Sequence, residues 1–261
     1  MSDYALLYHA LWQGDAPPEG MPAEEYNLTV EADAFSRQLA ELERLGIDVV
    51  DIEELLEGPA EGRRRCAITF DDGHRSDYEL ALPALRDRGH TAIFYVITDK
   101  TDRDGRFLSS EQIREMRRAG MRIGSHTDTH PWLPLLDRQG VRRELRESKK
   151  KLEDLLQEEV ADFCLPGGHY NKMVLEEAAA AGYRSVASCR VGVVDADRFL
   201  LPRLEVRRRL DAKQFAATFD DACLRRLARR EACKATLRRT LGLRFYTRLR
   251  SIVSGLITID R

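Results

Sequence analysis

The sequence predicts an α/β fold in which parallel strands, each followed by a helix, form a barrel. Short apolar, β-branched runs alternate with longer segments of helical periodicity over about the first 210 residues. Connections of this length are typical of parallel crossover units. Seven or eight units favour a barrel of the TIM type, complete or incomplete, over an open sheet. In either architecture, functional residues are expected where strands end and loops begin.

The alternation gives eight strand segments and five helix segments, separated by loops. Residues 11–28 and 98–108 are predicted to be long surface loops that frame a cleft. The strands are predicted at 4–9, 47–51, 66–70, 91–97, 121–124, 162–165, 185–188 and 199–206, and the helices at 32–45, 76–88, 109–119, 138–157 and 171–181.

Start and stop signals mark the predicted helix boundaries. Ser76 with Glu79, and Ser109 with Gln112, have the spacing of capping boxes. Glycines stand where a left-handed residue is expected to end a helix. These glycines are Gly46, Gly89, Gly120 and Gly182.

The C-terminal part of the sequence differs from the rest in charge and in periodicity. Residues 207–261 contain 15 Lys and Arg and 5 Asp and Glu, a net charge of +10, whereas the whole chain carries −2. Apolar residues recur there at three- and four-residue spacing between arginines, which is typical of an amphipathic helix. We therefore predict a barrel at 1–210 and a basic helical extension at 211–261.

Composition argues against several classes of protein. The near-neutral total charge argues against a nucleic-acid binder. No run of 18 apolar residues is present, and the first residues lack a secretory pattern, so we expect a cytoplasmic protein. Five cysteines without a CxxC pair indicate reduced, mostly buried thiols. A metal site would therefore use histidines and carboxylates.

The first motif whose residues could take part in catalysis is the pair Asp71-Asp72, followed by Gly73, at the end of an apolar strand. Neighbouring side chains on a strand point to opposite faces, so the pair belongs at the strand's C-terminal end, where Gly73 allows a turn. Two adjacent carboxylates repel each other, and a divalent cation relieves this if one binds it and the other stays free as a base. Taken alone, the motif is better explained as a simple Asp-Asp-Gly turn.

The second motif places His126 and His130 in a polar loop that follows another short apolar strand. Two imidazoles four residues apart reach one ion if the loop turns between them. Neutral histidines with one aspartate are a normal ligand set for a catalytic zinc that keeps a position open for water. Two surface histidines are the alternative, but their clustering after a strand favours ligands.

Together, the segments 69–73 and 125–130 resemble the first two motifs of the polysaccharide deacetylases, the NodB-homology domain of carbohydrate esterase family four. The resemblance covers about residues 4–206. It implies a distorted (β/α) barrel of about seven strands that removes N-acetyl groups from sugars with a divalent metal, and zinc is the ion we expect.

The resemblance also implies roles for individual residues. Asp72, His126 and His130 would be the metal ligands, and Asp71 would be the general base. The third motif departs from the usual pattern because Cys164 stands where an arginine is common. The late Leu-x-His motif, whose histidine commonly acts as general acid, is absent, because no histidine follows position 169.

One branch of the family suggests which residues replace the missing arginine and the missing late histidine. The chain is similar to deacetylases of poly-N-acetylglucosamine, which have a Tyr-His pair in the first strand and a late Pro-Arg pair, here Tyr8-His9 and Pro202-Arg203. By that analogy His9 is the proton donor, and Arg203 replaces the missing arginine near the base. A core histidine at a strand end is the alternative for His9.

The third motif also supplies candidates for substrate binding. Gly167 and Gly168 would bring backbone N–H groups close to a developing oxyanion, although a plain loop turn is the alternative. His169 and Tyr170 would line the site or its rim, with Tyr170 able to stack on a sugar ring. For Trp132, packing of its loop against the barrel is the favoured interpretation.

The function predicted from these motifs is metal-dependent N-deacetylation of an acetamido sugar in a glycan or in a lipid- or nucleotide-linked precursor. Removal of a formyl group from a lipid-linked amino sugar and non-catalytic glycan binding are the alternatives. Residues 222–237 are expected to pack on the barrel. For 241–257, packing and binding to an anionic membrane surface as a peripheral protein are equal alternatives.

Overall fold

The computed structural model describes residues 2–14, 23–58, 61–194, 197–220 and 222–229. Its strands are short, and most of their residues are buried. They are β1 (Asp3–Tyr8), β2 (Leu11–Trp12), β3 (Val30–Glu31), β4 (Ile47–Val49), β5 (Arg64–Phe70), β6 (Ile93–Val96), β7 (Arg122–Ser125), β8 (Asp162–Cys164), β9 (Ser185–Ala187) and β10 (Leu204–Glu205).

Helices follow most of the strands. They are α1 (Ala23–Leu28), α2 (Ala32–Arg44), α3 (Ile52–Leu56), α4 (Leu82–Arg86), α5 (Ser110–Arg118), α6 (Arg138–Leu156), α7 (Lys172–Ala180) and α8 (Ala212–Ala217), with a π-helical turn at Asp77–Ala81 and 3-10 turns at Leu133–Leu135 and Pro166–Gly168.

The main sheet is parallel, and its strands follow the order β10-β1-β5-β6-β7-β8-β9. The centre of the sheet is the long pairing of β1 with β5, in which Tyr8 lies opposite Phe70. The other edge of β5 is shared, because β4 pairs with its first residues and β6 with its last two. β2 and β3 form a separate parallel pair beside this sheet.

Residues 198–206 connect the two ends of the sheet. Leu201 forms a parallel bridge with Ala187 at the end of β9, whereas Leu204 pairs with Leu6 in β1. One segment thus contacts both edge strands and curls the sheet into a distorted barrel. The predicted α/β fold, a distorted (β/α) barrel with seven strands along its path, is confirmed.

Aromatic packing joins the central strands to the first long helix. Tyr8, Phe70 and Phe94 stack across β1, β5 and β6, with ring centroids 5.2 and 4.9 Å apart. Phe35 of α2 packs edge-on against the first two rings. These strands are almost wholly apolar because the sheet is covered on both faces, as parallel sheets usually are.

The first part of the C-terminal extension packs against the start of the barrel. Phe215, Phe219 and Leu224 are buried in the main core, and the Phe219 ring lies edge-on to Tyr4 with centroids 5.1 Å apart. Residues 222–229 are helical, as expected for this region. Residues 241–257 lie outside the described part of the chain, so the boundary at 210 stays a prediction. Among the described residues, no helix is both long and apolar enough to cross a membrane.

One of the two predicted capping boxes forms. Ser109 accepts a hydrogen bond from the Gln112 amide, and the Gln112 side chain accepts from the Ser109 amide. The box predicted from Ser76 and Glu79 is wrong, because the Ser76 hydroxyl accepts from the Leu11 amide at 3.0 Å instead. The four predicted helix-ending glycines are all left-handed, with φ between 63° and 89°.

Three other element predictions need correction. Residues 11–28 are not wholly loop, since β2 and α1 lie within them. Residues 76–88 begin with a π-helical turn before α4. Residues 199–206 are not one strand, because the segment pairs first with one neighbour and then with another.

The close approach of β7 to β6 requires a glycine at position 124. A Cβ atom there would lie 2.5 Å from Cδ1 of the buried Tyr95 ring. We expect Gly124→Ala to lower the free energy of unfolding by about 1–3 kcal/mol. In a Tyr95→Leu background the same substitution should cost less. Urea denaturation measures both, and an equal cost in the two backgrounds would contradict this origin.

Candidate active site

The predicted site residues meet at the C-terminal ends of the strands. Asp71 and Asp72 follow β5, and His126 follows β7. His9 follows β1. Arg203 comes before β10 rather than after it, but β10 begins opposite Leu6, near the end of β1, so Arg203 reaches the same rim. Because the strands are parallel, these ends share one rim of the barrel.

Asp72, His126 and His130 are arranged as ligands of one ion. The Asp72 Oδ1 atom lies 3.4 Å from Nε2 of His126 and 3.5 Å from Nε2 of His130. Atoms bound tetrahedrally to zinc at its usual N and O distances lie roughly 3.3–3.4 Å from one another. His126 is buried, whereas the His130 side chain is 35% exposed, so the group opens to solvent on that side. The donor set and its spacing therefore fit a divalent cation.

A backbone carbonyl sets the orientation of the His126 ring. Its Nδ1 lies 2.9 Å from the carbonyl oxygen of Cys164 in β8. A carbonyl only accepts hydrogen bonds, so Nδ1 carries a proton and Nε2 is the ring nitrogen that faces Asp72. Such a partner on the second ring nitrogen is a usual feature of histidines that bind metals.

The loops that carry these residues adopt left-handed backbone conformations at non-glycine positions. The φ angles of Asp72, Thr127 and His130 are 77°, 67° and 62°. Such conformations cost free energy and persist where surrounding contacts impose them. Here the Thr127 hydroxyl accepts from the His130 amide, and Glu144 of α6 accepts from both amides of residues 128–129, at 3.1 and 2.8 Å.

Arg203 holds the second carboxylate, Asp71, in a buried bidentate ion pair. Its Nη1 and Nη2 atoms donate to Oδ1 and Oδ2 of Asp71 at 2.7 and 2.8 Å. The same guanidinium donates to the Thr69 hydroxyl at 2.9 Å, to the Cys164 sulfur at 3.0 Å and to the Ser188 carbonyl at 2.9 Å. All its donor groups are used, so Asp71 is fixed in position.

Neighbouring charges and burial determine which side chains of the site are ionised. Burial opposes ionisation of Asp71, but the charge of Arg203 outweighs it and the pKa is lowered. The pKa of Asp72 is well below its usual value, since its hydrogen bonds to histidine outweigh burial. Burial and the neighbouring charge of His126 lower the pKa of His130 to about 4. Both carboxylates are thus ionised, and His130 is neutral, as a metal ligand must be. Burial opposes a charge on His126, but Cys164 and Asp72 raise its pKa well above the usual value, so a cation bound there would have to displace a proton.

His9 follows β1 on the same rim as the two aspartates. Its charge contributes to lowering the pKa of both Asp71 and Asp72. Its Nδ1 is buried and has no hydrogen-bond partner among the described residues. The large majority of buried polar side-chain atoms in proteins have such a partner. The position therefore leaves a ring nitrogen for a ligand.

The glycine pair of the third motif forms a tight turn. Gly167 and Gly168 have φ of 58° and 68°, and a Cβ at 168 would lie 2.7 Å from that of Cys189. The Gly168 amide donates to the Leu165 carbonyl at 2.8 Å. This corrects the expectation for Gly168, because its N–H is not available to an oxyanion. The expectation for Gly167 stays a prediction.

Two aromatic residues line the rim next to this turn. The His169 ring contacts Trp132, with centroids 4.6 Å apart and planes tilted by 48°. Tyr170 is one of the few large apolar side chains exposed among the described residues. Trp132 packs within the rim, as predicted, and Tyr170 is open to a ligand.

Two residues that contact the buried ion pair have no role in the motif analysis. Thr69 bonds Arg203, and Cys164 donates to Asp71 Oδ2 at 3.4 Å. Strand alternation was a usable signal for Thr69, which lies two residues before Asp71 and so on the same side of β5. Cys164 also lies within ligand distance of Asp71 and His126. A cation there would have to displace the Arg203 guanidinium, so the Asp72 group is the better metal site.

The ion pair of Arg203 and Asp71 makes a testable contribution to stability. Arg203→Met leaves a buried carboxylate without its cation, which should lower the free energy of unfolding by about 3–5 kcal/mol. Adding Asp71→Asn should recover part of this loss. The pKa of Asp71 is lower in the folded chain, so the contribution is full above the ordinary carboxyl pKa and declines as pH falls through the folded value.

Denaturant unfolding at neutral and acidic pH measures both effects. The matched control is Arg63→Met, which removes an exposed arginine paired with Asp48 and should cost at most about 1 kcal/mol. The ion pair does not contribute as proposed if Arg203→Met lowers the free energy of unfolding no more than this control does. The same conclusion follows if the effect of Arg203→Met does not diminish at acidic pH.

Comparison with known proteins finds polysaccharide deacetylases that are similar to this chain. The family model for polysaccharide deacetylase matches residues 59–186. YxkH of Bacillus subtilis (strain 168), assigned to the polysaccharide deacetylases, is 27% identical over 218 residues, covering 81% of this chain and 74% of its own.

Solved structures show the same relationship. The Streptococcus pyogenes deacetylase PplD, in complex with acetate, is 26% identical with a TM-score of 0.76, covering 84% of this chain and 99% of its own. IcaB from Ammonifex degensii has the same fold, with a TM-score of 0.73 at 24% identity, covering 83% of this chain and 96% of its own. The chain therefore contains a polysaccharide deacetylase domain, and the proteins it resembles are hydrolases that cleave the amide bonds of acetylated sugars.

Proposed function

We propose that this chain is a divalent-metal-dependent sugar N-deacetylase, with zinc as the ion. The observation that supports this most directly is that two neighbouring carboxylates on one rim have different surroundings. Asp72 faces the two histidine Nε2 atoms, whereas Asp71 is ionised and held by Arg203. A non-catalytic glycan-binding relative would have no use for a buried, ionised base beside a ligand set.

The roles of the residues follow from their positions. Asp72, His126 and His130 would hold the cation, which when bound polarises the amide carbonyl and lowers the pKa of a bound water. Asp71 takes the proton of the attacking water, and its low pKa keeps it unprotonated beforehand. Arg203 acts through Asp71 by fixing its orientation.

Cleavage of the C–N bond also requires a proton on the leaving nitrogen. His9 lies on the same rim as both aspartates, and its Nδ1 has no hydrogen-bond partner in the described part of the chain, so we assign it the transfer of a proton to the departing sugar amine. The products are then a carboxylate and a free amino sugar. Gly167, His169 and Tyr170 would contact the sugar, with the exposed Tyr170 ring as a stacking surface.

The substrate we propose is an acetamido sugar in a glycan or in a lipid- or nucleotide-linked precursor in the cytoplasm. Incubation with N-acetylglucosamine oligomers, UDP-N-acetylglucosamine and the formylated analogues, followed by mass spectrometry, tests this. Deacetylation removes C2H2O from the sugar and deformylation removes CO. Loss of CO alone would identify a deformylase, and no mass change with any substrate would support a binding protein.

Substitution of the two aspartates separates their roles. Asp71→Asn should lower kcat by about 10²–10⁴-fold with the metal content unchanged, because it removes the base alone. Asp72→Ala and His130→Ala should lower the metal content measured by elemental mass spectrometry. Asp154→Asn, an exposed control, should change neither quantity. Unchanged metal content in both ligand variants would refute the metal site.

We also propose that the basic extension holds the enzyme at an anionic membrane surface. Its net charge of +10 and its amphipathic periodicity support this. The described part of the extension packs on the barrel through Phe215 and Phe219, so the proposed anchor is limited to residues 241–261.

Sedimentation with liposomes tests the anchor in the full chain. Replacing Arg244, Arg248 and Arg250 by alanine should weaken binding to anionic vesicles by roughly 100-fold, since each basic residue near the surface contributes about 1 kcal/mol. Neutral vesicles are the control and should bind neither protein. Equal recovery of both proteins in the supernatant with anionic vesicles would refute the anchor.

A further inference from the structure

His74 is a buried histidine two residues after Asp72, and the motif analysis gives it no role. Its backbone is held by a short antiparallel bridge to Phe107. On either side of that bridge, the Leu108 amide donates to the Gly73 carbonyl at 2.9 Å and the Arg75 amide donates to residue 106 at 2.8 Å. The loop therefore fixes the position from which the His74 side chain extends.

The His74 ring is fixed as firmly as its backbone. It stacks on Phe107, with centroids 5.0 Å apart and planes inclined by 21°. Lys100 and Arg106 lie over the same phenylalanine ring, at 6.0 and 5.6 Å from its centroid. Only 5% of His74 is exposed, so its ring has little freedom to turn.

The His74 ring faces the proposed metal ligand Asp72. Nε2 of His74 is buried, forms no hydrogen bond of normal geometry in the described part of the chain, and lies 3.5 Å from Asp72 Oδ2. The other oxygen of Asp72, Oδ1, faces His126 and His130. The two oxygens of one carboxylate thus have different surroundings.

We propose that His74 is a positioning residue for Asp72. Its Nε2–H donates to Oδ2 and thereby directs Oδ1 to the cation. The inference rests on the proposed metal site. A separation of 3.5 Å is long for a hydrogen bond, and such contacts commonly tighten when an active site binds its ligands. Partners of this kind orient a ligand, and their removal costs about 10–100-fold in metal affinity.

A competing explanation is that His74 only fills space against Phe107. The two explanations differ in what they require of the side chain. Packing needs a flat or apolar group of similar size, which phenylalanine supplies. Positioning needs an N–H donor at the same reach, which phenylalanine lacks and glutamine keeps.

Zinc affinity measured by competition with a chelator separates them. We expect His74→Phe to weaken zinc binding by about 10–100-fold and His74→Gln to restore most of that loss. The matched control is His90→Phe. His90 is a second largely buried histidine whose Nε2 has no hydrogen-bond partner in the described residues, and it lies before β6, at the opposite end of the barrel. Its substitution should leave zinc affinity unchanged.

Thermal unfolding of the metal-free variants shows whether each one folds, and His74→Met replaces His74→Phe if the latter does not. Wild-type affinity in a folded His74→Phe or His74→Met variant would overturn the inference while leaving the metal site intact. Equal weakening by His74→Gln and His74→Phe would also overturn it. Failure of the wild-type chain to bind zinc would refute the proposed metal site itself.

Discussion

The buried ion pair between Arg203 and Asp71 connects the segment that closes the barrel to a carboxylate of the candidate active site. The guanidinium comes from the segment that links the two sheet edges, and it bonds groups at the ends of β5, β8 and β9. Buried ion pairs contribute little net stability compared with apolar packing, but loss of one partner is costly. The pair therefore keeps a carboxylate ionised in a place where burial alone would protonate it.

A third aspartate, Asp77, lies close to Asp71 and Asp72. Asp71 is neutralised by Arg203, and Asp72 is left to the histidines and to a cation. Asp77 is fully buried, and burial with the charges of Asp72 and Asp71 raises its pKa well above the usual value. The raised pKa favours the neutral form of Asp77, so this side chain adds little negative charge beside Asp72.

Local sequence signals were sufficient for the strands that carry the motifs and for the left-handed ends of four helices. They failed where a residue distant in sequence takes the hydrogen-bonding group on which the local signal depends. The Ser76 hydroxyl is taken by the Leu11 amide, so its capping box does not form. Sequence also placed Arg203 near the base by resemblance alone. The roles of Thr69 and Cys164 depend on contacts that span the barrel, which no local pattern reports.

Residues 198–206, which close the barrel, are synthesised after the other strands of the sheet. A ribosome delivers β1 and β5 to β9 before it delivers residues 198–206, and Asp71 lies 132 residues before the arginine that it pairs with. A nascent chain that ends near position 190 holds every proposed metal ligand. Its base, however, still lacks a counter-ion. The pairing of Asp71 with Arg203 thus waits until the last edge of the barrel has been synthesised.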